Sequence, residues 1–376
     1  MLVKGINASG PQNPFPTYTR SYRSPIHPIA VHPCLKPFSR VVKQLLWMNA
    51  GICCRLFERP SKNGYPILQY HSVSPLEPHQ QWYIHPSLSL HPRDFERQMA
   101  FVRRRFEPLL LGQLLGRVQE GSYGSKPLIA VTFDDGYRDN FIHALPILRK
   151  YRIPATFYLT SECMDGRVPL WTTELRALLL KSSRSRITLS TLQCSYRLDG
   201  PASRIEAIRH IKARMLKLPR DQREKAIEEI RRVTAADRRH FAWMKMVMLD
   251  WEQVEYMSCC GMEFGSHTMT HPSLPHIPAD EALLEIAGSK AAIEAKIGRQ
   301  IVHFSYPNPG NVPNFNSRIR RMLKNCGFVS AATSVPGRFV QEADMLALKR
   351  KGIYRPYHQN PAEFFFWIQR ESLIPA

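Results

Sequence analysis

The chain has 376 residues, a formal net charge of +21, and 44% hydrophobic and 22% charged residues. This length suits one large catalytic domain with appendages, or two domains, and the composition is that of a globular protein. The eight cysteines follow neither zinc-ribbon spacing nor a secreted disulfide framework. Two pairs, Cys53-Cys54 and Cys259-Cys260, are adjacent, which disfavours disulfides, so we expect a reducing, cytoplasmic location.

Positive charge is concentrated in two segments. Residues 1–59 hold eight Lys and Arg against one acidic residue, and residues 204–239 hold twelve against six. Such an excess suits nucleic acid, an acidic membrane surface or an anionic substrate as partner. Because no nucleic-acid-binding motif accompanies it, we expect no nucleic acid.

The N-terminal region has two parts. Residues 1–38 contain seven prolines and no acidic residue, which predicts disorder, and no signal peptide is evident. Residues 39–60 predict a basic amphipathic helix whose apolar stretch is too short to span a membrane. This helix lies either on the inner face of a membrane, as a peripheral contact, or on the surface of the following domain.

Strand-like and helical patterns alternate from residue 65 onward. The strand-like runs are YPILQYH, LIAVTF, ATFYL, MEFGS, VHFSY and FVSAAT. The alternation predicts a parallel sheet or barrel with helices outside, within a domain covering 61–376. Residues 172–256 are long, charged and mostly helical in pattern, and are therefore interpreted as a helical insertion.

Two adjacent carboxylates, Asp134 and Asp135, end the run LIAVTF, and a solvated Asp-Asp-Gly turn is the simplest interpretation. However, β/α barrels collect catalytic groups at the carboxyl ends of their strands, and abutting carboxylates need a cation or a proton. His267 and His271 follow MEFGS, and their spacing of four suits one side of a helical turn. One Asp and two His predict a catalytic metal site with open positions.

TFDDG, HTMTH and FSYPNPG resemble, in this order, the first three motifs of the polysaccharide deacetylases, carbohydrate esterase family four with the NodB-type homology domain. The resemblance covers residues 65–355, and PILQYHSV is similar to the first strand of the subgroup acting in exopolysaccharide biosynthesis. It implies a distorted (β/α) barrel with a helical insertion.

The resemblance also implies roles. Asp134 is the expected general base, while Asp135, His267 and His271 are the expected ligands of a divalent metal, with zinc first and cobalt or another ion as alternatives. The chemistry suits these residue types independently, because amide hydrolysis needs a Lewis acid to polarise the carbonyl and a base to take a proton from water.

The third motif departs from the family pattern. The family has an Arg two residues before the proline, where this chain has Ser305, and an aromatic residue after it, where this chain has Asn308. The Asn308 N–H can still donate to an oxyanion, and Tyr306 is a further candidate for substrate contact. Arg350, in LALKRKGI, is the candidate replacement for the missing Arg; the alternative is a surface charge.

The remaining candidates are aromatic. His71, at the end of the first strand, is the candidate general acid, with a structural histidine as the alternative, and His358 is a weaker candidate. Trp171 either stacks on a sugar ring or packs in a core.

Three functions are compatible with these residues. The leading one is metal-dependent removal of N-acetyl groups from an amino sugar in a polysaccharide or lipid-linked glycan. A second keeps the fold and metal but acts as a deformylase or cyclic-amide hydrolase. The third is a catalytically silent glycan- or membrane-binding homologue.

Overall fold

Parallel strands with helices between them build the domain. This computed structural model describes residues 64–77, 80–122, 124–166, 168–235, 246–307, 314–356 and 358–369. The predicted disordered segment 1–38, the predicted helix 39–60 and Asn308 lie outside these ranges. The described strands are β1 (Ile67–Tyr70), β2 (Ser72–Val73), β3 (Ser89–Leu90), β4 (Glu107–Leu109), β5 (Leu128–Phe133), β6 (Thr156–Leu159), β7 (Arg186–Leu189), β8 (Cys194–Arg197), β9 (Glu263–Ser266), β10 (His303–Ser305), β11 (Ser330–Pro336) and β12 (Leu348–Gly352).

Seven of these strands close into a barrel. Their order is β1-β12-β11-β10-β9-β6-β5, and β5 pairs in parallel with β1 to complete the ring. The strand β4 pairs in parallel with the first half of β5. Because every pairing in the ring is parallel, all carboxyl ends reach the same rim. The predicted (β/α) barrel is confirmed.

The strand β5 shows why an uninterrupted apolar run suits this position. All six of its residues are buried. Ile129, Val131 and Phe133 belong to the core outside the barrel, whereas Leu128 and Ala130 belong to a second core with residues of other barrel strands. Side chains alternate along a strand, so a strand covered on both faces needs apolar residues at nearly every position.

Helices surround the ring. The described α-helices are α1 (Pro92–Arg105), α2 (Leu111–Gln119), α3 (Leu145–Lys150), α4 (Trp171–Lys181), α5 (Pro201–Met215), α6 (Arg220–Thr234), α7 (Trp251–Cys259), α8 (Ala279–Ile297), α9 (Ser317–Asn325) and α10 (Pro361–Gln369). None of the helices in the described part of the chain combines the length and the apolar character needed to cross a membrane.

The segment between β6 and β9 has its own core. Apolar side chains of α4, α5, α6 and the strands β7 and β8 pack together there, from Trp171 to Ile230. The two strands form an antiparallel hairpin, which the helical pattern of this segment did not predict. In contrast, Val254 and Met257 of α7 pack into the core outside the barrel, together with Ile129, Val131 and Phe133 of β5.

Candidate active site

The carboxyl rim of the barrel carries the predicted polar residues. His71 directly follows β1, Asp134 and Asp135 follow β5, and His267 follows β9. Parallel strands bring these ends together although the residues are up to about two hundred positions apart in the chain. The barrel therefore gathers one group of acidic and imidazole side chains at one place.

Asp134 and Arg350 form a buried ion pair. Two guanidinium nitrogens of Arg350 donate to the two carboxylate oxygens of Asp134 at 2.8 and 2.7 Å, and the two side chains are 0% and 2% exposed. The amide of Gln69 donates a third hydrogen bond to Oδ2 at 2.7 Å. Oδ2 thus accepts two bonds and Oδ1 one, so Oδ1 retains a lone pair that can take a proton.

Arg350 is fully satisfied inside the barrel. Besides Asp134, its guanidinium donates to the Thr333 carbonyl at 2.8 Å, to the Thr132 hydroxyl at 3.2 Å and to the Ser305 hydroxyl at 3.0 Å. All five N–H groups therefore have acceptors, which a buried guanidinium requires. Ser305 stands where the family pattern has its Arg, and its short side chain contacts the guanidinium that arrives from β12.

Opposing effects act on the pKa of Asp134. Burial raises it, but the charges of Arg350 and His267 and the hydrogen bonds from Arg350 outweigh burial and lower the pKa to about 2. The carboxylate is therefore ionised at neutral pH, as a general base must be.

Asp135, His267 and His271 form a second group beside Asp134. The Nε2 atoms of the two histidines lie 3.4 and 3.3 Å from the same oxygen, Oδ1, of Asp135. One potential ligand atom from each side chain lies within 4.8 Å of the others, and all three residues are buried. Burial raises the pKa of Asp135, but the contacts with the two histidines outweigh burial, so the pKa is lowered well below its usual value.

This group fits a metal ion. Nδ1 of His267 lies 2.7 Å from the carbonyl oxygen of Ser305, to which it donates, so Nε2 is the acceptor nitrogen that faces Asp135. Burial lowers the pKa of His271 to about 4, which keeps this imidazole neutral at pH 7. An ionised carboxylate and two imidazoles are ligands that zinc prefers.

The loop after β9 departs from the prediction of a helical turn. Residues 267–271 contain no helix, and Thr268 and His271 have positive φ angles of 69° and 62°. Asp135 also has a positive φ, 75°. Such angles cost non-glycine residues roughly 1–3 kcal/mol each and persist only where the surroundings enforce them. Spacing alone could not reveal this, because both geometries bring the two imidazoles together.

Buried Glu285 of α8 enforces the loop. Its Oε2 accepts hydrogen bonds from the backbone N–H groups of Met269 and Thr270 at 2.7 and 2.8 Å, and its Oε1 accepts a hydrogen bond from the Thr270 hydroxyl. Within the loop, the N–H of His271 donates to the Thr268 hydroxyl at 3.0 Å. One carboxylate thus holds the segment between the two histidines.

The turn after β5 needs a glycine. Gly136 has φ +82°, and a Cβ at this position would lie 2.9 Å from Met164 Cε and 3.1 Å from Leu159 Cδ2. Glycine is the residue that adopts such angles without strain. A side chain at position 136 would therefore strain the backbone and press against Met164 and Leu159.

His71 lies at the same rim. Burial lowers its pKa, and the charges of Asp135 and Asp134 oppose this effect. Nδ1 of His71 is buried without a hydrogen-bond partner among the described residues, while its carbonyl accepts the Asn140 side-chain amide at 2.8 Å. The structure thus places an imidazole beside both carboxylates, and its role as general acid stays a prediction.

Three other candidates have packing contacts. Tyr306 is 1% exposed, stacks on Phe315 at 4.5 Å between ring centroids, and donates to the Leu346 carbonyl, so its side chain lies in the core. The indole N–H of buried Trp171 donates to the His271 carbonyl at 3.0 Å, so Trp171 ties the insertion to the loop after β9. His358 stacks on Trp367 at 5.0 Å, in the core beneath α10.

Sequence reasoning missed Gln69 and Glu285. Gln69 lies on the same face of β1 as His71, two positions away, and this alternation was available in the run ILQYH. Glu285 sits among alternating charged and apolar residues of a helix, and nothing local distinguishes it from a solvated glutamate.

The domain is a closed parallel (β/α) barrel, and two aspartates and two histidines lie together at its carboxyl rim. These features define a class of barrel proteins with a candidate metal centre. The family model described as polysaccharide deacetylase matches residues 121–183 and 210–331. The chain belongs to the polysaccharide deacetylase family.

Individual relatives agree with this family. YxkH of Bacillus subtilis, provisionally named a polysaccharide deacetylase, is 21% identical over 294 residues, 78% of this chain and 72% of that protein. The poly-β-1,6-N-acetyl-D-glucosamine N-deacetylase of Escherichia coli K12 is 28% identical over 116 residues, 29% of this chain and 16% of that protein.

A solved structure shares the fold. The Streptococcus pyogenes deacetylase PplD in complex with acetate superposes with a TM-score of 0.55 and 16% identity, covering 82% of this chain and 99% of that one.

Proposed function

We propose that this protein is a metal-dependent hydrolase that removes N-acetyl groups from an amino sugar in a polysaccharide or lipid-linked glycan. The observation that carries the proposal is that two neighbouring aspartates at one rim have different partners. Asp134 is held ionised by Arg350 at 2.8 and 2.7 Å, and Asp135 lies against His267 and His271 at 3.4 and 3.3 Å. The family and the N-deacetylase relative support the same activity.

Asp135, His267 and His271 would hold the metal, for which zinc is our first choice. A divalent metal supplies Lewis acidity, which polarises an amide carbonyl and lowers the pKa of water. The fixed tautomer of His267, set by its Nδ1 contact with Ser305 at 2.7 Å, keeps its Nε2 directed at this position.

Asp134 serves as the base. Its Oδ1 takes the proton from the attacking water, while Arg350 and Gln69 hold the carboxylate in one orientation. His71 supplies the proton that the leaving amine needs, and it must be protonated at that moment because a free amine anion is a poor leaving group.

Release of acetate from a panel of N-acetylated glycans, with zinc supplied, tests the proposal. We expect turnover that chelator removes and zinc restores, and that Asp134→Asn abolishes while the metal stays bound. Including N-formylated sugars separates deacetylation from deformylation. A zinc-loaded chain that releases neither acetate nor formate would contradict the proposed function.

A further inference from the structure

The insertion places an arginine at the edge of the rim. Arg176 lies on α4 three residues after Thr173, so the two share a helix face. The Thr173 hydroxyl lies 3.3 Å from the hydroxyl of Tyr137, which follows the turn of Asp134 to Gly136. Arg176 is therefore close to the first motif although it belongs to the insertion.

Arg176 is buried without an internal anion. Its residue is 8% exposed, and its buried Nε has no hydrogen-bond partner among the described residues. The nearby carboxylate of Glu174 is engaged by Arg231, at 2.5 and 2.9 Å. An unpaired buried guanidinium is destabilising, and burial lowers the pKa of Arg176 accordingly.

A second cation of the insertion lies nearby. Lys212 lies on α5 beside Ile211, which packs in one core with residues of α4, the helix that carries Arg176. Its charge also acts on His271 and Asp135 of the candidate metal centre. Both Arg176 and Lys212 act on the exposed imidazole of His85, so both cations lie on the side of the insertion that is near His85. None of the ion pairs found among the described residues includes Arg176 or Lys212.

The two carboxylates of the candidate site are engaged by other groups. Asp134 is already paired with Arg350, and Asp135 is committed to the two histidines. The remaining positive charge therefore favours an anion from outside the protein.

We propose that Arg176 and Lys212 form an anion-binding subsite beside the candidate metal centre, and that the glycan substrate carries a phosphate or carboxylate group near the N-acetyl group that is removed. This inference rests on the proposed function, because it describes the substrate of that same site. A phosphate would come from a sugar phosphate or a lipid diphosphate carrier, and a carboxylate from a uronic acid in the polymer.

Calorimetric binding to the zinc-loaded full chain tests the subsite. The protein carries Asp134→Asn to prevent turnover, and the probes are N-acetylglucosamine, its 1-phosphate, and a disaccharide of N-acetylglucosamine with glucuronic acid. We expect at least one acidic probe to bind about tenfold or more tightly than the neutral sugar. Which acidic probe is preferred identifies the source of the anion.

Variants that remove the charges test whether Arg176 and Lys212 cause the preference for acidic probes. Arg176→Gln with Lys212→Gln should abolish it, while Arg176→Lys should retain part of it and report on folding. Arg214→Gln, an exposed residue of the same helix α5, is the matched control and should leave the preference unchanged. Equal affinities for all three probes, or a preference that survives the double variant, would overturn the subsite.

The outcomes for the two proposals are distinguishable. Acetate release by the unsubstituted chain together with equal probe affinities would reject the subsite and keep the deacetylase. An acid preference lost in the double variant, with no acetate released from any glycan, would reject the deacetylase and keep the subsite.

Discussion

The guanidinium of Arg350 on β12 binds both carboxylate oxygens of Asp134 from inside the barrel, at 2.8 and 2.7 Å. The hydroxyl of Ser305, at the end of β10, lies 3.0 Å from the same guanidinium. Positions 305 and 350 therefore face one point in the barrel, and a cation from either could reach Asp134.

This relationship predicts a rescue. Arg350→Ser leaves Asp134 as an unpaired buried charge, and breaking such a pair costs about 3–5 kcal/mol of unfolding free energy. Adding Ser305→Arg should restore part of the stability and of the acetate release. Urea unfolding and turnover measure the two effects, with exposed Lys349→Ser on the same strand as control. No recovery in the double variant would show that position 305 cannot supply the cation.

The metal site predicts a separation of binding from turnover. We expect one zinc per chain, with His267→Ala or His271→Ala lowering the affinity about 100-fold or more because each removes a ligand. Asp134→Asn should bind zinc as tightly as the unsubstituted chain and release no acetate. Competition with a chromophoric chelator gives the affinity, and unchanged zinc binding after loss of either histidine would contradict this ligand set.

Glu285 is expected to act on the metal through the loop that it holds. Glu285→Gln keeps the shape of the side chain but removes the negative charge of the carboxylate, which accepts hydrogen bonds from two N–H groups and a hydroxyl. The zinc affinity should therefore fall about 10- to 100-fold. Asp280→Asn, exposed on the same helix, is the control and should bind zinc normally. Equal affinities for the two variants would mean that the loop keeps its shape without Glu285.

His358 predicts a pH dependence of stability. Burial, assisted by the charge of Lys351, lowers its pKa to about 4, below the unfolded value of about 6.5. The neutral form is therefore favoured in the folded chain, and its stabilising contribution is present above pH 6.5 and lost as the pH falls towards 4. Between pH 6.5 and 5 the loss is about 2 kcal/mol.

Urea unfolding of the unsubstituted chain and of His358→Asn, at pH 7 and pH 5, isolates this contribution. The variant should show a smaller decrease in unfolding free energy on acidification. Parallel decreases in both proteins would assign the pH dependence to other groups.

The barrel and the family were predictable from the sequence because their signals are local. Buried parallel strands such as β5 need continuous apolar runs, and TFDDG, HTMTH and FSYPNPG stand in the order of the family motifs. The strand β12 is harder, because LKRKG has three cations in five residues. Only the structure shows that Asp134 pairs with Arg350 and that the ring of Trp367 lies 4.8 Å from the Lys351 amine.

The sequence predicted which residues belong to the candidate site, but not the contacts that hold them in place. The sequence indicated Asp134, Asp135, His267, His271, His71 and Arg350. The structure brings the first five to one rim and Arg350 to the barrel interior behind Asp134, and their roles remain predictions. The sequence did not indicate Gln69 or Glu285, nor the left-handed residues Thr268 and His271, because these depend on contacts between distant segments. Tyr306 and Trp171 are aromatic residues whose burial no local pattern determines.

In this chain the guanidinium comes from position 350, while position 305 of the third motif holds a serine. This difference affects how members of the family are recognised from sequence. A search that demands an arginine in the third motif would discard this chain, although a guanidinium reaches Asp134 from β12, two strands away from β10. In a closed barrel, inward-facing positions on different strands can present side chains to the same point, as Ser305 and Arg350 do here. A family signature for this fold is therefore better defined by positions inside the barrel than by a sequence motif alone.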